Sequence, residues 1–530
     1  MKCSYFIFFL LLFISSAASA QSPADTSPPV EILPGAKKLE YRKTNDGSQL
    51  QVLTGNVRLR QGSTLFYCDS CIINNGSKIF EAFGNVHIND NDTAHVYSNY
   101  LRYLMDKRYS YLKGNVKLDD GHARLTTNEL EYDLVSRIGV YKNGGKVVNK
   151  KSVLTSKEGI YYAELKDIYF KKNVELKDPA YYLKSDSLLY NTEFETARFI
   201  AETYIRDSTG RVILTSEGLY NLHTGRADFT KRTTIEDGPL TVTGDYVAND
   251  DETGMVQIKG RGILKDTAKG ISILSEEIFV NKNTEAFLAT IKPLMIVKQD
   301  KDSIYITADT LFSARLSDLK RPADTLAKGD SLSKKISASK RDSTNRYFEA
   351  FRNVRVFSDS VQSISDSLFY SFKDSTFQLF QNPVVWSNGN QITGDTIYLF
   401  TKNKQAKRVK VFENGFLVNQ VEKGVYNQIK SVRMDGFFKN GVIDSVRARG
   451  YAESIYFLQD EDSAYSGINQ TQSDIMDVFF SNGDLSKVVL RSAVKGTLWP
   501  ITRKKPSEML LKNFQWLEGS RPKTKYELFE

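Results

Sequence analysis

Two cysteines are the side chains of this chain best suited to metal or redox chemistry. Cys68 and Cys71 stand as Cys-x-x-Cys, and Cys3 is the third cysteine of the 530 residues. Because residues i and i+3 of a strand point to opposite faces, a shared metal ion or a disulfide requires a local turn here. A zinc site also needs a second pair of ligands, which the chain does not offer at the usual spacing. A disulfide therefore stays open as an interpretation, and a catalytic redox role is the weaker one.

The four histidines show no metal-binding spacing. They are His87, His95, His122 and His223. None of them belongs to a His-Glu-x-x-His motif. His87 stands where Arg58 and Lys117 stand in related segments, so we expect it on the surface. We therefore predict neither a metal ion nor a cofactor.

Several aspartates recur at one position of a longer pattern. They are Asp186, Asp309, Asp366 and Asp395. Recurrence at one structural position is typical of turns, where Asp bonds nearby backbone groups. The alternative is a polysaccharide-processing enzyme, which predicts a carboxylate cluster and a loss of activity when Asp309 or Asp366 is replaced. No nucleophile elbow or phosphate-binding loop accompanies these residues, so we predict that the chain is not an enzyme.

A repeated sequence phrase predicts the secondary-structure elements that position these residues. Gly55-Asn56-Val57, Gly84-Asn85-Val86 and Gly114-Asn115-Val116 are separated by 29 (85 − 56) and 30 (115 − 85) residues. A second phrase, residues 125–132, lies half a period away and recurs at residues 183–190. Such a period indicates a repeat architecture, here of roughly a dozen units, in which each unit buries its apolar face against its neighbours.

Each unit is predicted to contain two long bent strands. One strand approaches Gly114-Asn115, bends there and ends at the turn Asp119-Asp120-Gly121; the return strand, residues 123–134, bends near Thr127-Asn128. The 28 Tyr and 31 Phe suit strands. We predict an all-β fold, an elongated twisted β-jelly roll or V-shaped stack of bent antiparallel strands built from ~29-residue repeats, with an apolar lining.

The ends of the chain and one internal stretch depart from this pattern. Residues 1–20 have the features of a signal peptide, and the apolar run is shorter than the ~20 residues of a membrane anchor, which is the alternative. The predicted domains are the signal peptide 1–20, a linker 21–38, a first repeat block 39–317, a polar loop insertion 318–345, a second repeat block 346–496 and a C-terminal tail 497–530. The tail either caps the last unit or docks a partner.

The net charge of +9 is mild for this length. Lys and Arg alternate with apolar residues, as in Val57-Arg58-Leu59-Arg60, which is typical of a solvated sheet face. A nucleic-acid-binding surface has a denser basic cluster, so we expect no nucleic-acid partner. Attraction to anionic lipid headgroups stays open.

This combination resembles the OstA (organic solvent tolerance) family. The resemblance rests on the signal peptide, on the Gly-Asn-Val phrases with residues 125–132, and on their return in residues 347–415. Residues 452–457, residues 467–469 and the Arg521-Pro522-Lys523 ending look like the large OstA-like proteins of Bacteroidota-type envelopes. Periplasmic members of that family form the bridge that carries lipopolysaccharide to the outer membrane.

The resemblance implies an inner groove that shields the acyl chains of lipopolysaccharide while sugars and phosphates stay outside. An apolar trough suits this cargo, because each methylene kept from water contributes ~0.8 kcal/mol. The predicted lipid-binding, groove-lining residues are Val57, Leu59, Val86, Ile88, Val116, Leu118, Leu130 and Tyr132. For each of them, a place in a closed, dry core is the open alternative.

The resemblance also implies a location and partners. We expect a periplasmic protein, with a peripheral position at the outer membrane as the alternative. The expected partners are lipopolysaccharide or its lipid A part, and other lipopolysaccharide-transport proteins joined end to end by strand pairing, since an open stack leaves edge strands at both ends. A different class of function, a structural or adhesive β-solenoid without lipid cargo, predicts a trough filled by the chain's own side chains.

Overall fold

Antiparallel β-strands make up most of the protein. The computed structural model describes residues 28–44, 47–298, 303–319, 345–387, 389–402, 405–439, 442–460, 462, 464–481 and 484–529. The predicted signal peptide, the first part of the linker and most of the polar loop lie outside the described residues. Within these ranges there is no α-helix, and the prediction of an all-β fold is confirmed.

The chain forms two units, the first of which comprises the residues up to Val174 together with Asn191–Glu193. Its strands are β1 (Glu31–Ile32), β2 (Lys38–Lys43), β3 (Gln49–Gln61), β4 (Thr64–Asn74), β5 (Ile79–Asp90), β6 (Ala94–Leu104), β7 (Tyr109–Asp119), β8 (Arg124–Asp133), β9 (Ile138–Tyr141), β10 (Gly145–Asn149), β11 (Ser152–Ser156), β12 (Glu158–Tyr162) and most of β13 (Asp167–Lys177). From β3 to β8, each strand pairs with the next along the chain.

The second unit comprises Glu175–Tyr190 and the residues from Phe194 onward. Its strands are β14 (Tyr181–Asn191), β15 (Thr196–Phe199), β16 (Thr203–Asp207), β17 (Val212–Thr215), β18 (Gly218–Asn221), β19 (Ala227–Phe229), β20 (Thr233–Asp237), β21 (Leu240–Gly244), β22 (Tyr246–Asp250), β23 (Met255–Asp266), β24 (Ile271–Asn281), β25 (Ala286–Thr290), β26 (Leu294–Lys298), β27 (Ser303–Thr307), β28 (Thr310–Arg315), β29 (Arg346–Phe357), β30 (Gln362–Ser371), β31 (Thr376–Phe380), β32 (Val384–Ser387), β33 (Asn390–Thr393), β34 (Thr396–Lys402), β35 (Gln405–Glu422), β36 (Val425–Lys439), β37 (Val442–Gln459), β38 (Tyr465–Ser481), β39 (Asp484–Arg491) and β40 (Lys495–Pro500). A short 3-10 helix at Leu316–Asp318 follows β28, and three more follow β40 at Pro506–Glu508, Glu518–Ser520 and Glu527–Phe529.

Each long strand of the first unit is bent in the middle, as predicted. The pairing register shifts at the Gly-Asn steps, for example between Thr54 and Val57 of β3 and between Lys113 and Val116 of β7. Two successive residues are left-handed at each step: Gly55 has φ 81° and Asn56 φ 57°. Gly and Asn adopt this conformation more easily than other residues, which explains why the phrase recurs at the bends.

The bend divides the strands of the first unit into two sets of paired segments. Arm A consists of residues 57–61, 64–67, 86–90, 94–98, 116–119, 124–127, 145–149 and 152–156. Arm B consists of residues 50–54, 70–74, 79–83, 100–104, 109–113, 129–133, 138–141 and 158–162. A strand of one arm therefore continues into the other arm through the bend.

Side chains on the return strands close these bends. Ser98, Thr127 and Ser156 are nearly buried, and each donates its hydroxyl to the backbone carbonyl two residues further on, at 3.0, 3.2 and 2.6 Å. The bend at Thr127 is the one predicted near Thr127-Asn128. On the other side of the bend, Asn85 donates through Nδ2 to Asp69 Oδ2 at 2.9 Å. The side chains thus satisfy backbone groups that the irregular pairing leaves without a partner.

The second unit uses the same bends. Its register shifts between Phe351 and Val354, where Arg352 and Asn353 are both left-handed. Asn353 Nδ2 donates to Asp309 Oδ1 at 3.1 Å, and Asn414 Nδ2 donates to Asp395 Oδ2 at 3.0 Å. Both aspartates therefore bind an asparagine of the bend on the neighbouring strand.

The two arms of the first unit face each other. Gln61, at the end of an arm A segment, donates through Nε2 to the carbonyl of Met105 at 3.0 Å and accepts a hydrogen bond from the phenol of Tyr103. Tyr103 ends an arm B segment, so these contacts join the two arms at the side remote from the bend. The alternating apolar side chains of both arms consequently share one interior.

Candidate functional site

The eight residues predicted to line a groove lie on the inner faces of the two arms. Val57, Leu59, Val86, Ile88, Val116 and Leu118 are on arm A, and Leu130 and Tyr132 are on arm B. Each of them is at most 2% exposed. They therefore share a dry interior in this structure, and contact with a lipid stays a prediction.

Aromatic rings from both arms fill part of this interior. Phe66 of arm A lies 5.2 Å from Phe80 and 4.8 Å from Tyr103 of arm B, measured between ring centroids. The ring of Tyr141 packs directly against Gly145 and Gly159. A Cβ atom on either glycine would clash with this ring. Acyl chains can enter between the arms only if these side chains move apart.

Charged and polar side chains join the arms along the side remote from the bends, which we call the mouth. Its cations, from turns of arm B, are Arg108, Arg137 and Lys166, and their partners at the ends of arm A are Thr64, Asp90 and Asp120. The Arg108 guanidinium donates to Thr64 Oγ1 at 3.1 Å, Arg137 Nε lies 3.6 Å from Asp90 Oδ2, and Lys166 Nζ donates to Asp120 Oδ2 at 3.2 Å. We call these three pairs the mouth clasps.

The carboxylates of the mouth clasps are buried, whereas the Arg137 and Lys166 side chains that pair with them are 27% and 21% exposed. The side chain of Asp90 is 2% exposed, and that of Asp120 is 0% exposed. Burial alone would raise the pKa of Asp120, but the neighbouring Tyr161 phenol, the backbone amides of Ala123 and His122 and the charge of Lys166 together lower it. A buried ion pair is costly to break from one side, because the remaining charge stays away from water.

A related clasp occurs within the second unit. Arg211 donates two hydrogen bonds to the carboxylate of Asp251, at 2.7 and 2.8 Å. Burial would raise the pKa of Asp251, whereas the hydrogen bonds from Arg211 and Asn249 hold it at about 2. Bidentate Arg–carboxylate pairs fix geometry as well as charge.

The sequence contained a signal for the clasps that the sequence predictions did not use. Arg108, Arg137 and Lys166 are each 29 residues apart (137 − 108 and 166 − 137), and Asp90 and Asp120 are 30 apart (120 − 90). A positive charge recurs at one turn of each repeat, and a negative charge recurs with nearly the same spacing elsewhere in the repeat. Such a pattern indicates a row of ion pairs between the two arms.

The two cysteines are free and both buried. The register shift between Tyr67 and Ser70 resets the face of β4, so Cys68 and Cys71 avoid the opposite orientations of a regular strand. A hydrogen bond with Cys68, followed by burial, raises the pKa of the Cys71 thiol. Such a thiol is a poor nucleophile or metal ligand.

The other candidate chemical groups are partnered in ways typical of a scaffold. His87 is half-buried, stacks on Tyr97 with ring centroids 4.4 Å apart, and lies 3.2 Å from His95 between ring nitrogens. Its pKa is lowered by burial and then by His95. Asp366 accepts a hydrogen bond from Ser367 at 2.8 Å. Across the described ranges, no group of three or more His, Cys, Asp or Glu could hold a metal ion, and no helix there has the length and apolar character needed to cross a membrane.

Comparisons with known proteins agree with part of these findings. Residues 30–186 match the model of the family described as OstA-like protein, which confirms the resemblance for that part of the chain. A search of curated proteins finds no match. Among solved structures, the chain is similar to LptH of Pseudomonas aeruginosa, described as the LptA homologous periplasmic component of the conserved lipopolysaccharide transport device. The sequence identity is 13%, and the match covers 32% of this chain and 80% of that one. The TM-score is 0.14, a value too low to support a structural comparison.

Proposed function

We propose that this protein is a periplasmic component of a lipopolysaccharide-transport bridge, and that the arms of its first unit shield the acyl chains of the lipid. The observation that carries the proposal is the OstA-like match over residues 30–186, which coincides with the part of the chain where two arms face each other over a mainly apolar interior. In that interior each methylene kept from water contributes ~0.8 kcal/mol. A long uniform lining gives neighbouring positions of the lipid similar free energies.

Lipid entry requires the arms to separate from the closed state described above. The mouth clasps oppose that separation, while the bends act as the line about which the arms move. Once the arms part, Arg108, Arg137 and Lys166 are free to pair with anionic headgroup oxygens, since Arg and Lys bind phosphate in the same way as carboxylate. Sugars and phosphates then stay outside, and hydrocarbon lies inside.

Photo-crosslinking tests this function directly. We expect a photoreactive residue at Val86 or Val116 to capture lipopolysaccharide, because both side chains point into the interior and are at most 1% exposed. The same group at Lys117, an exposed neighbour on β7, should capture none. Capture is read by immunoblotting for the lipid after irradiation in cells. A folded protein that captures nothing at either inner position would contradict lipid transport by this unit.

A second candidate function is a structural β-solenoid of the cell envelope without lipid cargo. It is favoured by one observation, that all eight predicted lining residues are at most 2% exposed and lie in an interior filled in part by rings. Crosslinking separates the two functions, because the solenoid gives no lipid capture at Val86 or Val116 while the protein stays folded.

End-to-end strand pairing is the way we propose that the bridge extends. Among the described strands, β2 pairs with β3 alone, and β40 pairs with β38 alone, so each offers one backbone edge to another chain. Leu498 on β40 is 63% exposed, and nearby Val494 is 52% exposed. If the β40 edge of one molecule pairs with the β2 edge of the next, the contact joins two different surfaces. Such a contact builds open chains, made of copies of this protein or of related proteins.

Charge on the β40 edge should disrupt this pairing. We expect the double variant Val494→Asp and Leu498→Asp to abolish concentration-dependent association of the protein, as measured by sedimentation velocity. The control is Leu219→Asp, an exposed strand position away from that edge, which should associate like the parent. A parent protein that stays monomeric up to about 100 μM, well above typical weak-interface concentrations, would rule out pairing between copies.

A further inference from the structure

The second unit carries an irregular segment, with three short 3-10 helices, along its inner side. Gln428 of β36 donates through Nε2 to the carbonyl of Met509 at 2.9 Å, and its Oε1 accepts from the amide of Leu511 at 2.8 Å. Gln391 of β33 repeats this arrangement, donating to the carbonyl of Gln515 at 2.8 Å and accepting from the amide of Leu517 at 2.7 Å. Both glutamines are 0% exposed. Each therefore binds the backbone, not the side chains, of the segment.

The same segment continues across the strands toward the start of the unit. Arg521 Nε donates to Gln362 Oε1 of β30 at 2.9 Å, and Thr307 of β27 donates to the carbonyl of Leu528 at 3.3 Å. Arg355 of β29 adds a hydrogen bond to the carbonyl of Glu527 at 2.8 Å.

These contacts place the segment on one continuous surface. The strands that it crosses pair in the order β36–β35–β33–β32–β30–β29–β27. That order has six steps of ~4.8 Å, or about 29 Å. We call residues 506–529 the inner segment and the surface that it covers the inner groove.

Apolar contacts add to the backbone contacts. From the inner segment, Met509 and Leu511 are buried, and Phe514 and Trp516 are partly buried against the same cluster. The groove side of that cluster consists of Phe416, Val418, Val425, Ile455, Phe457 and Ile468. The ring of Tyr426 lies between two rings of the segment, 5.1 Å from Phe514 and 5.5 Å from Trp516.

The two glutamines define the chemistry that the inner groove accepts. A buried amide needs a donor and an acceptor opposite it, because an unpartnered one costs ~1–3 kcal/mol. An extended polypeptide supplies both at each clamp through one carbonyl and one amide. A hydrocarbon chain supplies neither, so a lipid in this place would leave the Gln391 amide without the partners described here and would leave Gln428 with only its hydrogen bond to the Tyr426 carbonyl at 3.2 Å.

The connection to the inner segment is short and exposed. β40 ends at Pro500, and the following turn contains the exposed residues Thr502, Arg503 and Lys505. The backbone hydrogen bonds of this turn are local: the Arg503 amide donates to the Pro500 carbonyl, and the Glu508 amide donates to the Lys505 carbonyl. A segment that is attached through such a connection can be exchanged between copies of a protein at low cost.

We propose that the inner groove is a binding site for a polypeptide segment that is extended where the two glutamines bind it, and that it takes residues 506–529 either from its own chain or from a second copy. The proposal is independent of lipid transport by the first unit. It assigns the second unit to polypeptide binding in this state, with the backbone clamps of Gln391 and Gln428 as the selective contacts.

The test uses the full-length protein with a protease recognition sequence in place of residues 502–505, cut after folding. We expect the cut inner segment to stay bound through gel filtration and to be replaced by an excess of a labelled peptide of residues 506–529, measured by fluorescence anisotropy. A cut protein that loses the segment and does not bind the peptide overturns the proposal. So does a cut protein that retains the segment for days and takes up no label. These outcomes need no groove variant to fold.

The clamps are tested by the double variant Gln391→Leu and Gln428→Leu in the same cut protein. We expect the peptide to bind at least tenfold more weakly, while Gln472→Leu, at an exposed position of β38, leaves the affinity unchanged. Hydrogen exchange of the uncut variant provides a second readout, in which the amides of Leu511 and Leu517 lose protection but β35–β38 keep theirs. Equal affinity in the double variant and the control would show that the clamps do not select the ligand.

Discussion

Replacing Val116 by aspartate should destabilise the first unit by about 4 kcal/mol and abolish lipid capture in the same protein. Val116 is 0% exposed, on the inner face of arm A directly after the bend of β7. An unpaired carboxylate in such a place loses its hydration and finds no cation, a change at the upper end of single-substitution effects. Urea unfolding measures the loss of free energy. The transition is followed by circular dichroism at about 218 nm, where β-sheets absorb.

The neighbouring residue provides the control for Val116. Lys117 is exposed on the other face of β7, and Lys117→Asp should change the free energy of unfolding by no more than about 0.5 kcal/mol. A Val116→Asp protein as stable as the Lys117→Asp protein would mean that water reaches Val116 from an open groove. If that stable variant also carried lipid normally, Val116 would not line the lipid path.

Replacing Asp120 by alanine should cost about 3 kcal/mol at pH 7 and remove part of the acid sensitivity of the first unit. The substitution leaves the Lys166 ammonium without its buried partner and frees the amides of His122 and Ala123, which the carboxylate binds at 3.0 and 2.8 Å. Breaking one side of a buried ion pair typically has an effect of this size. Urea unfolding of parent and variant across pH 3–8 measures it.

The pH dependence follows from the lowered pKa of Asp120. The unfolded chain binds the proton more readily, because its carboxyl keeps a pKa near the ordinary ~3.9. The stabilisation by Asp120 is therefore complete well above that value and is lost as the pH falls through it toward the pKa of the folded state. The alanine variant lacks this component, so its stability should fall less steeply below about pH 5.

Asp119 is the matched control for Asp120. It pairs with Arg124 at 2.8 Å, but its side chain is 29% exposed and that of Arg124 is 62% exposed. Asp119→Ala should cost at most about 1 kcal/mol, as for other exposed pairs. If Asp120→Ala and Asp119→Ala had equal effects and equal pH profiles, the mouth clasp at Lys166 would be as hydrated as the surface.

The bends could be predicted from the sequence because they depend on local chemistry. Gly55-Asn56 and Gly114-Asn115 supply left-handed residues at the middle of a strand, and that requirement is visible in the residue types themselves. The alternation of apolar residues likewise predicted the buried face that holds Val116 and Leu118. Both signals lie within about ten residues of the feature that they determine.

The clasps and the inner segment could not be predicted in the same way. Arg108 meets Thr64, 44 positions earlier, only because two arms fold onto each other. The side chain of Gln391 accepts a hydrogen bond from the backbone amide of Leu517, 126 positions later in the chain. The sequence around Leu517 has no repeat or motif that indicates this contact. The orientation of Cys68 and Cys71 also depends on a register shift, which regular strand geometry does not include.

The position of the inner segment in the chain has a consequence for how the protein is made. Thr307 donates a hydrogen bond to the carbonyl of Leu528, which lies 221 positions later in the chain. Gln428 donates to the carbonyl of Met509, 81 positions later. Contacts of such long separation form late and slow the folding of a domain. A second unit whose other strands fold before residues 506–529 dock therefore holds bare apolar surface and two glutamine side chains without their backbone partners, which makes that intermediate prone to aggregation.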